Sequence, residues 1–345
     1  MVLGGLIGSS PLVAAVVIVI ATGFVWLGSG WLEGSAEHLS AYYGLPPVVQ
    51  GSIVVAVGSS FPELASVVFT ALGGIFDMGV GAIVGSAIFN ILVIPALAGI
   101  LADGDLQTSR AIVYKEAQFY MIAVATLVIT FSLAVIYVPV PGESGLLGQV
   151  TRPLAMIPIL LYGLYLFIQW QDVSDHTAGE PPADIAVGRE WLTLAGGLLV
   201  ILLAVEQLVG GVETLTLAFG IPDFLAGVTI IAAATSLPDA LVSVRSAQAG
   251  NSITSLGNVL GSNTFDLLVA IPIGVLIVGV VTVDFAVAVP MLGVLTLATV
   301  LLFTFLRTEL SVTTAEAYAL LIAYLLFVSW IVAETVGLTN YIVGA

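Results

Sequence analysis

Runs of about 20 apolar residues recur along the whole chain, and this feature limits its possible folds more than any other. A helix of that length crosses the hydrocarbon core of a bilayer, which is about 30 Å thick. Charged residues make up only 8% of the 345 residues, whereas soluble domains carry about 25%. The runs are continuous, which disfavours the alternating strands of a membrane β-barrel. The sequence therefore predicts an all-α polytopic membrane protein.

Ten apolar segments are long enough to be membrane-spanning helices, and one hydrophilic break divides them into two sets of five. The break, residues 171–190, is rich in acidic residues and prolines and is predicted to be a short cytoplasmic linker. It separates a first half, residues 1–170, from a second half, residues 191–345. Because five is odd, the halves must be inverted relative to each other. The predicted spans are about 11–32, 45–73, 79–101, 112–138, 152–170, 191–212, 222–248, 254–281, 285–306 and 315–337.

The six basic residues indicate the direction in which the spans run. Cytoplasmic loops of membrane proteins are enriched in lysine and arginine. With an external N-terminus, five of the six lie on the cytoplasmic side and only Arg152 does not. We therefore expect a multi-pass protein of the cell membrane with both termini outside. The five cytoplasmic residues are then Arg110, Lys115, Arg189, Arg245 and Arg307.

The two halves also share a sequence pattern at a fixed offset of 176 residues. The copies span about 44–95 and 220–271, and each places a carboxylate directly after a proline, at Glu63 and at Asp239. Matching glycines, prolines and serines at one offset are hard to obtain by chance, so we interpret them as an internal repeat. A polar, proline-containing segment that interrupts the apolar spans of both halves is typical of a transporter's binding site.

Both copies place oxygen-bearing side chains one helical turn apart, and this spacing puts each pair on one face of a helix. Pro62 lacks an N–H group, so backbone carbonyls around residues 56–59 are expected to lose their helical partners. Four such faces could meet where the inverted halves pack. The pairs are Ser59 and Glu63, Ser86 and Asn90, Thr235 and Asp239, and Ser262 and Asp266.

These faces offer oxygen ligands alone. The chain has no cysteine, and its two histidines, His38 and His176, lie outside both polar segments. Such hard ligands suit Ca²⁺ or Na⁺. Each of Glu63, Asp239 and Asp266 would cost about 2.5–3.5 kcal/mol near the middle of a membrane. The sequence therefore predicts a site at which cations or protons compensate buried carboxylates, and no cofactor is expected.

Four further glutamates lie toward the ends of the first and sixth spans: Glu33, Glu37, Glu206 and Glu213. We interpret them as interfacial residues, because charged side chains near span ends can reach the aqueous boundary. A role along an entry path is the alternative.

Two pairs of motifs resemble the cation/calcium exchanger superfamily and, within it, the sodium/calcium exchangers. The repeats of that family read G-T/S-S-x-P-E/D and G-S-N/A-x-F-N/D. Here the first motif reads GSSFPE at 58–63 and ATSLPD at 234–239, and the second reads GSAIFN at 85–90 and GSNTFD at 261–266. The resemblance covers the whole ten-span chain. It implies a Na⁺-driven Ca²⁺ antiporter, not an enzyme, in which the first and sixth spans form a moving gate pair.

The resemblance also implies a role for each matching residue. Glu63 and Asp239 would be central ligands shared by Ca²⁺ and Na⁺, with Asn90 and Asp266 flanking them. Both cations would compete for these carboxylates, and the site would open to one side at a time. Further hydroxyl or carbonyl oxygens would come from Ser59, Ser60, Ser86, Thr235, Ser236 and Ser262, and outer carbonyls from Ala56 and Ala232.

Three residues depart from the commoner family pattern. Ser59 replaces threonine, Asp239 replaces the glutamate of many prokaryotic members, and Ala234 replaces a glycine and is expected to stiffen that bend. The motifs GSAIFN and GSNTFD are also similar to the potassium-dependent branch, so K⁺ co-transport stays open. An H⁺/Ca²⁺ exchanger of the same superfamily stays open as well, although no histidine lies in either motif, as is common in that branch.

Other classes of protein fit the sequence less well. Residues 95–97 read PAL, as in intramembrane aspartyl proteases, but Asp103 and Asp105 lack the helical contexts of that family. A serine hydrolase would need a histidine at membrane depth. The net charge of −16 and the lack of a basic patch do not support nucleic-acid binding. A channel is compatible with the composition, and saturable counterflow would distinguish exchange from conductance.

Overall fold

The computed structural model describes residues 10–45, 54, 56–102, 104–141, 146–173 and 185–339, which are nearly all helical. Within these ranges nine helices are long and apolar enough to cross a membrane. The second predicted span contains two shorter helices. The first half contains α1 (Pro11–Tyr42), α2 (Ala56–Ser59), α3 (Phe61–Gly73), α4 (Phe76–Leu101), α5 (Gln118–Tyr137) and α6 (Arg152–Val173). The second half contains α7 (Val187–Phe219), α8 (Asp223–Ala226), α9 (Ala232–Gln248), α10 (Ser252–Phe265), α11 (Ile271–Val278), α12 (Phe285–Arg307) and α13 (Thr314–Thr335).

Three π-helical turns continue directly into helices or join them. They are π1 (Ile112–Ala117) before α5, π2 (Gly227–Ile231) between α8 and α9, and π3 (Asp266–Ala270) between α10 and α11. Most predicted spans therefore correspond to one long helix, whereas the described part of the second is divided at Ser60, and the seventh and eighth each contain two helices joined by a π-helical turn. The predicted fold class, ten helices in two inverted sets of five, is confirmed.

The largest departures from the predicted boundaries are in α1 and α7. These helices have 32 and 33 residues, a length of about 50 Å at 1.5 Å per residue. Both therefore extend well beyond the hydrocarbon core of a bilayer. At one end His38 of α1 lies 3.2 Å from Glu190 of α7, so the polar ends of the two helices stabilise each other. Residues 174–184 of the predicted linker, with His176, lie outside the described residues.

The internal repeat is visible in the backbone. Gly44 and Gly220 have φ values of 66° and 67°, and Gly74 and Gly250 have φ values of 77° and 81°. Glycine adopts this left-handed conformation without the steric cost that other residues bear. Equivalent helices of the two halves thus end in the same way, at the offset of 176 residues seen in the sequence.

Two short antiparallel ribbons tie the halves together. Strand β1 (Leu106–Gln107) pairs with β4 (Ser311–Val312), and β2 (Leu147–Thr151) pairs with β3 (Val280–Asp284). Each ribbon takes one strand from each half. Because successive spans alternate in direction, the two ribbons lie at opposite ends of the helices. Strands β1 and β3 occupy equivalent places in the two halves, as do β2 and β4, so the inverted repeat relates one ribbon to the other.

Helices α4 and α9 form the centre of the molecule, and glycines bring the backbones there close together. A Cβ atom on Gly85 of α4 would lie 2.3 Å from the carbonyl oxygen of Val228, and one on Gly81 would lie 2.3 Å from that of Phe224. Small residues permit such close contact between membrane helices. The close approach places the polar segments of the two halves against each other.

Candidate cation-binding site

The two proline-containing segments differ in local structure. In the first, the helix is interrupted at Ser60, between α2 and α3. In the second, α9 continues through Pro238, and the irregular backbone lies upstream in π2. Ala234 stands where the first copy has Gly58, and alanine favours a helix by about 1 kcal/mol over glycine. The stiffer second bend is the outcome expected from that replacement.

Pro62 affects a different carbonyl from the one assigned to the outer ion position. The oxygen of Ala56 accepts hydrogen bonds from the Ser60 N–H at 3.0 Å and from the Ser59 hydroxyl at 3.2 Å. The oxygen that loses its helical donor is that of Gly58, because its partner would be the absent N–H of Pro62. The oxygen of Ala232 accepts a long hydrogen bond of 3.5 Å from the hydroxyl of Thr235.

All the predicted site side chains are buried together in the interior. Each has no accessible surface, although each carries oxygen atoms, and the two alanines are buried beside them. The side chains are Ser59, Ser60, Glu63, Ser86, Asn90, Thr235, Ser236, Asp239, Ser262 and Asp266, with Ala56 and Ala232.

Two serines connect the carboxylates of one half with hydroxyls of the other. Ser86 donates to Glu63 Oε1 at 3.3 Å and accepts from Ser236 at 2.7 Å. At the equivalent position Ser262 donates to Asp239 Oδ1 at 3.4 Å, and its hydroxyl lies 3.0 Å from that of Ser59. The hydrogen bonds thus cross between the halves on both sides of the centre.

Asn90 holds Asp239 from the opposite half. Its Nδ2 atom donates to Asp239 Oδ2 at 2.9 Å and to Asn263 Oδ1 at 3.0 Å. Both N–H groups of the Asn90 amide are therefore used, and its Oδ1 atom has no hydrogen-bond partner. The group of Asn90 that remains free in the buried site is thus an oxygen and not an N–H group.

Several buried atoms of the site lack a hydrogen-bond partner, and all of them are oxygens. They are Ser60 Oγ, Glu63 Oε2, Asn90 Oδ1 and both carboxylate oxygens of Asp266. Burial of an acceptor without a partner costs about 1–3 kcal/mol, and more for a charged group. Glu63, Asp239 and Asp266 also repel one another electrostatically. A bound cation would satisfy these oxygens and offset the repulsion together.

The donor set is mixed in character. Among the described residues, no three His, Cys, Asp or Glu side chains come close enough to hold a metal by themselves. An ion here would take hydroxyl, amide and carbonyl oxygens in addition to carboxylates. That mixture is typical of Ca²⁺, which takes 6–8 oxygen ligands, and does not suit zinc.

Three residues of the network were not predicted. Asn263 accepts from Asn90 and donates to the carbonyl of Ala87 at 3.1 Å, its equivalent in the other half. It also lies 3.4 Å from the hydroxyl of Tyr120, and Asn258 lies 3.4 Å from Ser59. Asn263 could have been found as a polar residue that breaks the repeat, whereas Tyr120 lies in no motif.

The glutamates of the first and sixth spans do not share one environment. Glu37 is exposed and Glu213 is partly exposed, in agreement with an interfacial position. Glu206 is buried, and the Oε1 atom of Glu33 is buried without a hydrogen-bond partner. Glu206 and the carboxylate of Glu33 therefore face the protein interior, whereas Glu37 and Glu213 reach its surface.

Comparison with known proteins identifies relatives over most of the chain. The family model described as "Sodium/calcium exchanger protein" matches residues 13–171 and 189–333. The putative antiporter CaxA of Alkalimonas amylolytica is 28% identical over 276 residues, which cover 75% of this chain and 82% of that protein. The inner membrane protein YrbG of Escherichia coli (strain K12) is 25% identical over 277 residues, which cover 77% and 80%.

A shorter match links the chain to proteins named for a third cation. Human sodium/potassium/calcium exchanger 3 is 36% identical over 99 residues, 28% of this chain and 15% of that protein. Among solved structures, the sodium-calcium exchanger NCX_Mj soaked with Na⁺ and Sr²⁺ has a TM-score of 0.64. At 20% identity the match covers 93% of this chain and 99% of that one, so it establishes a shared fold.

Proposed function

Because the chain belongs to the sodium/calcium exchanger protein family, we propose that it exchanges Ca²⁺ for Na⁺ across the membrane by alternating access. Family and fold are those of a transporter and not of an enzyme. The observation that carries the proposal is the group of buried, unpartnered oxygens beside Glu63, Asp239 and Asp266. Ca²⁺ and Na⁺ both take hard oxygen ligands. The two cations would therefore compete for the same oxygens and could not occupy them at the same time.

Obligatory exchange follows from the cost of an empty site. Three buried carboxylates that repel one another in a low-dielectric interior are costly unless cations compensate them. An empty site would therefore resist the conformational change that carries it across the membrane. In this proposal Glu63 and Asp239 are the central ligands, with Asn90 and Asp266 on either side. The serine and threonine hydroxyls and the nearby carbonyls complete the coordination.

The remaining features of the proposal follow from the arrangement of the chain. The two five-helix halves, residues 1–170 and 191–345, would be joined by a cytoplasmic linker at 171–190. Both termini would lie outside the cell membrane, because that orientation places five of six basic residues in the cytoplasm. Helices α1 and α7 would form the moving gate pair. The chain's ligands would be Ca²⁺, Na⁺ and the surrounding lipid, with no cofactor.

A K⁺-dependent form of the exchange is the second candidate. It is supported by the 36% identity to human sodium/potassium/calcium exchanger 3 over 99 residues. It is also supported by Asp266, whose two carboxylate oxygens accept no hydrogen bond. A third cation ligated there would compensate a charge that the equivalent Asn90 does not carry.

Calcium uptake into proteoliposomes tests the proposal. Vesicles that contain the protein, loaded with Na⁺ and diluted into Na⁺-free buffer, should take up ⁴⁵Ca²⁺. The Glu63→Gln and Asp239→Asn variants should lose at least about 99% of that flux, because each removes a central charge that binds both ions. Asp105→Asn, the same kind of change in an exposed loop, serves as the control and should retain it.

The gradients distinguish the candidates. Uptake that needs Na⁺ inside but no K⁺ supports Na⁺/Ca²⁺ exchange, and uptake that also needs K⁺ supports the second candidate. Uptake driven by a pH gradient without Na⁺ would indicate an H⁺/Ca²⁺ exchanger. Normal flux in Glu63→Gln would show that the assigned site is wrong.

A further inference from the structure

The C-terminal half of α1 carries polar side chains on the face that packs against the protein. Ser29 is fully buried, and its hydroxyl has no hydrogen-bond partner. One turn further, the Oε1 atom of Glu33 is also buried and unpartnered, as is the hydroxyl of Ser35. The buried face of the N-terminal half is apolar, with Ala14 and Ala21. Polar atoms thus begin midway along α1 and continue toward one end only.

This polar face lies beside the central site. Leu32, the neighbour of Glu33, approaches the position of a Cβ on Gly58 to 3.9 Å, next to Ser59. Glu33 interacts electrostatically with Asp239 and with Arg245, both on α9. Arg245 lies near the C-terminal end of α9. Glu33 therefore lies near the part of α9 that leads from Asp239 to Arg245, toward the end of the molecule at which α1 terminates.

The fold does not require polar residues at these positions, because the other half lacks them. At the repeat offset of 176 residues, Ser29, Glu33 and Ser35 correspond to Val205, Val209 and Gly211 of α7. Both valines are buried in an apolar cluster. Packing at these three positions of the second half is thus achieved without a polar side chain, and the buried carboxylate of α7, Glu206, lies at a different position, equivalent to Gly30.

We propose that Ser29 and Glu33 form a cation waypoint between the central site and the side of the membrane at which α1 ends. The proposal rests on the proposed function, because it assigns these oxygens to the same Ca²⁺ and Na⁺ ions. Carboxylate and hydroxyl oxygens are ligands that these ions prefer. A buried carboxylate that exchanges its proton for a cation along the path raises the local cation concentration and the rate of association. We expect the effect on one side only, since α7 has valines at the two equivalent positions.

Sided transport measurements test the waypoint. In Glu33→Gln, the Ca²⁺ concentration for half-maximal flux should rise about tenfold or more on the side of the α1 C-terminus and stay within about twofold on the other. Right-side-out and inside-out vesicles give access to each side. Cysteine placed at exposed Asp105, in a chain with no native cysteine, identifies the relevant side because it labels from there. Glu37→Gln, the same change one turn further at an exposed position, should alter neither side.

Equal effects on both sides, or on neither, would overturn the inference. The wild type is measured first with Na⁺, K⁺ and pH gradients, and the sided comparison uses whichever drives calcium uptake. A failure of Na⁺ coupling therefore counts against the proposed function alone.

Stopped-flow measurement of Ca²⁺ binding in detergent gives a second test. Glu33→Gln should lower the association rate about tenfold and retain Ca²⁺ binding, whereas Glu63→Gln should lose Ca²⁺ binding. Loss of Ca²⁺ binding in both variants would place Glu33 in the central site and overturn the waypoint. An unchanged association rate in Glu33→Gln would also exclude the waypoint. A wild type that binds no Ca²⁺ would overturn both proposals.

Discussion

The two flanking residues of the candidate site, Asn90 and Asp266, occupy equivalent positions but have different surroundings. Asn90 donates two hydrogen bonds, to Asp239 and to Asn263. Asp266 has none at either oxygen. The first residue therefore fixes a carboxylate of the opposite half, while the second has the Ser60 hydroxyl nearby but no well-formed hydrogen bond. The asymmetry places negative charge on the second-repeat side of the site.

Replacement of Asn90 by aspartate tests the role of that amide. Asn90→Asp exchanges the donor 2.9 Å from Asp239 Oδ2 for an anionic oxygen, and two such oxygens repel at low dielectric. We expect calcium flux at neutral pH to fall at least about tenfold, because the repulsion costs more than the 1.4 kcal/mol that a factor of ten represents. The measurement is ⁴⁵Ca²⁺ uptake by reconstituted protein. Asn251→Asp, at an exposed position, should behave as the wild type, and an active Asn90→Asp would show that the amide is no structural donor.

The sequence predicts most of these side chains because the repeat marks them twice. Residues such as Ser86 and Ser262 share an offset, a motif and a position one turn before a second polar residue. Tyr120 has no such signal, since it contacts the site from α5, and Asn258, one turn before Ser262 on α10, has no polar equivalent in the first repeat, where Ala82 stands. The sequence predicts an interfacial Glu33 because the hydropathy pattern does not show how far α1 extends beyond the apolar span.

At the scale of single elements, close helix contact at the molecular centre depends on glycine. A Cβ on Gly85 would lie 2.3 Å from the carbonyl oxygen of Val228, 2.7 Å from its Cα and 2.8 Å from the Cβ of Ala232. Two of these three atoms belong to the backbone, so no side-chain rotation can make room. The distance between α4 and π2 is therefore set by the glycine.

Gly85→Ala should consequently destabilise the protein. Overpacking of this kind costs about 1–3 kcal/mol, and we expect a lower midpoint of thermal unfolding in detergent together with reduced calcium flux. The matched control is Gly30→Ala on α1, where a Cβ would meet no atom within 4 Å. That variant should be as stable as the wild type. An unchanged midpoint in Gly85→Ala would mean that α4 and π2 can separate without cost.

The irregular turns are the elements that sequence did not predict. Apolar periodicity does not distinguish π2 or π3 from an α-helix, because both keep the chain helical and apolar. Pro62 and Pro238 were read alike, yet only the first coincides with a break in the helix. The difference comes from local propensity at Gly58 and Ala234, together with tertiary contacts that a single sequence does not display. Asp266 begins π3, so an identical offset does not give an identical orientation.

At the scale of the whole molecule, the two ribbons define its two ends. The β1–β4 ribbon lies at the end that carries exposed Asp105, and the β2–β3 ribbon lies at the end where Arg152 Nε donates to the carbonyl oxygen of Leu276 at 3.0 Å. Successive spans alternate in direction, so Arg110 and Arg307 share the end of the first ribbon. The helices fix which residues share a side, while the charge distribution alone predicts which side is cytoplasmic.

Thiol labelling decides this orientation. The chain has no cysteine, so Asp105→Cys and Leu338→Cys each introduce a unique reactive group at an exposed position near one end. We expect a membrane-impermeant maleimide to label Leu338→Cys in intact cells and Asp105→Cys only after the membrane is opened, because the basic end is retained in the cytoplasm. Reversed labelling would invert the topology but leave the fold intact. Labelling of both positions in intact cells would contradict their placement at opposite ends and, with it, the odd number of spans between them that the inverted repeat requires.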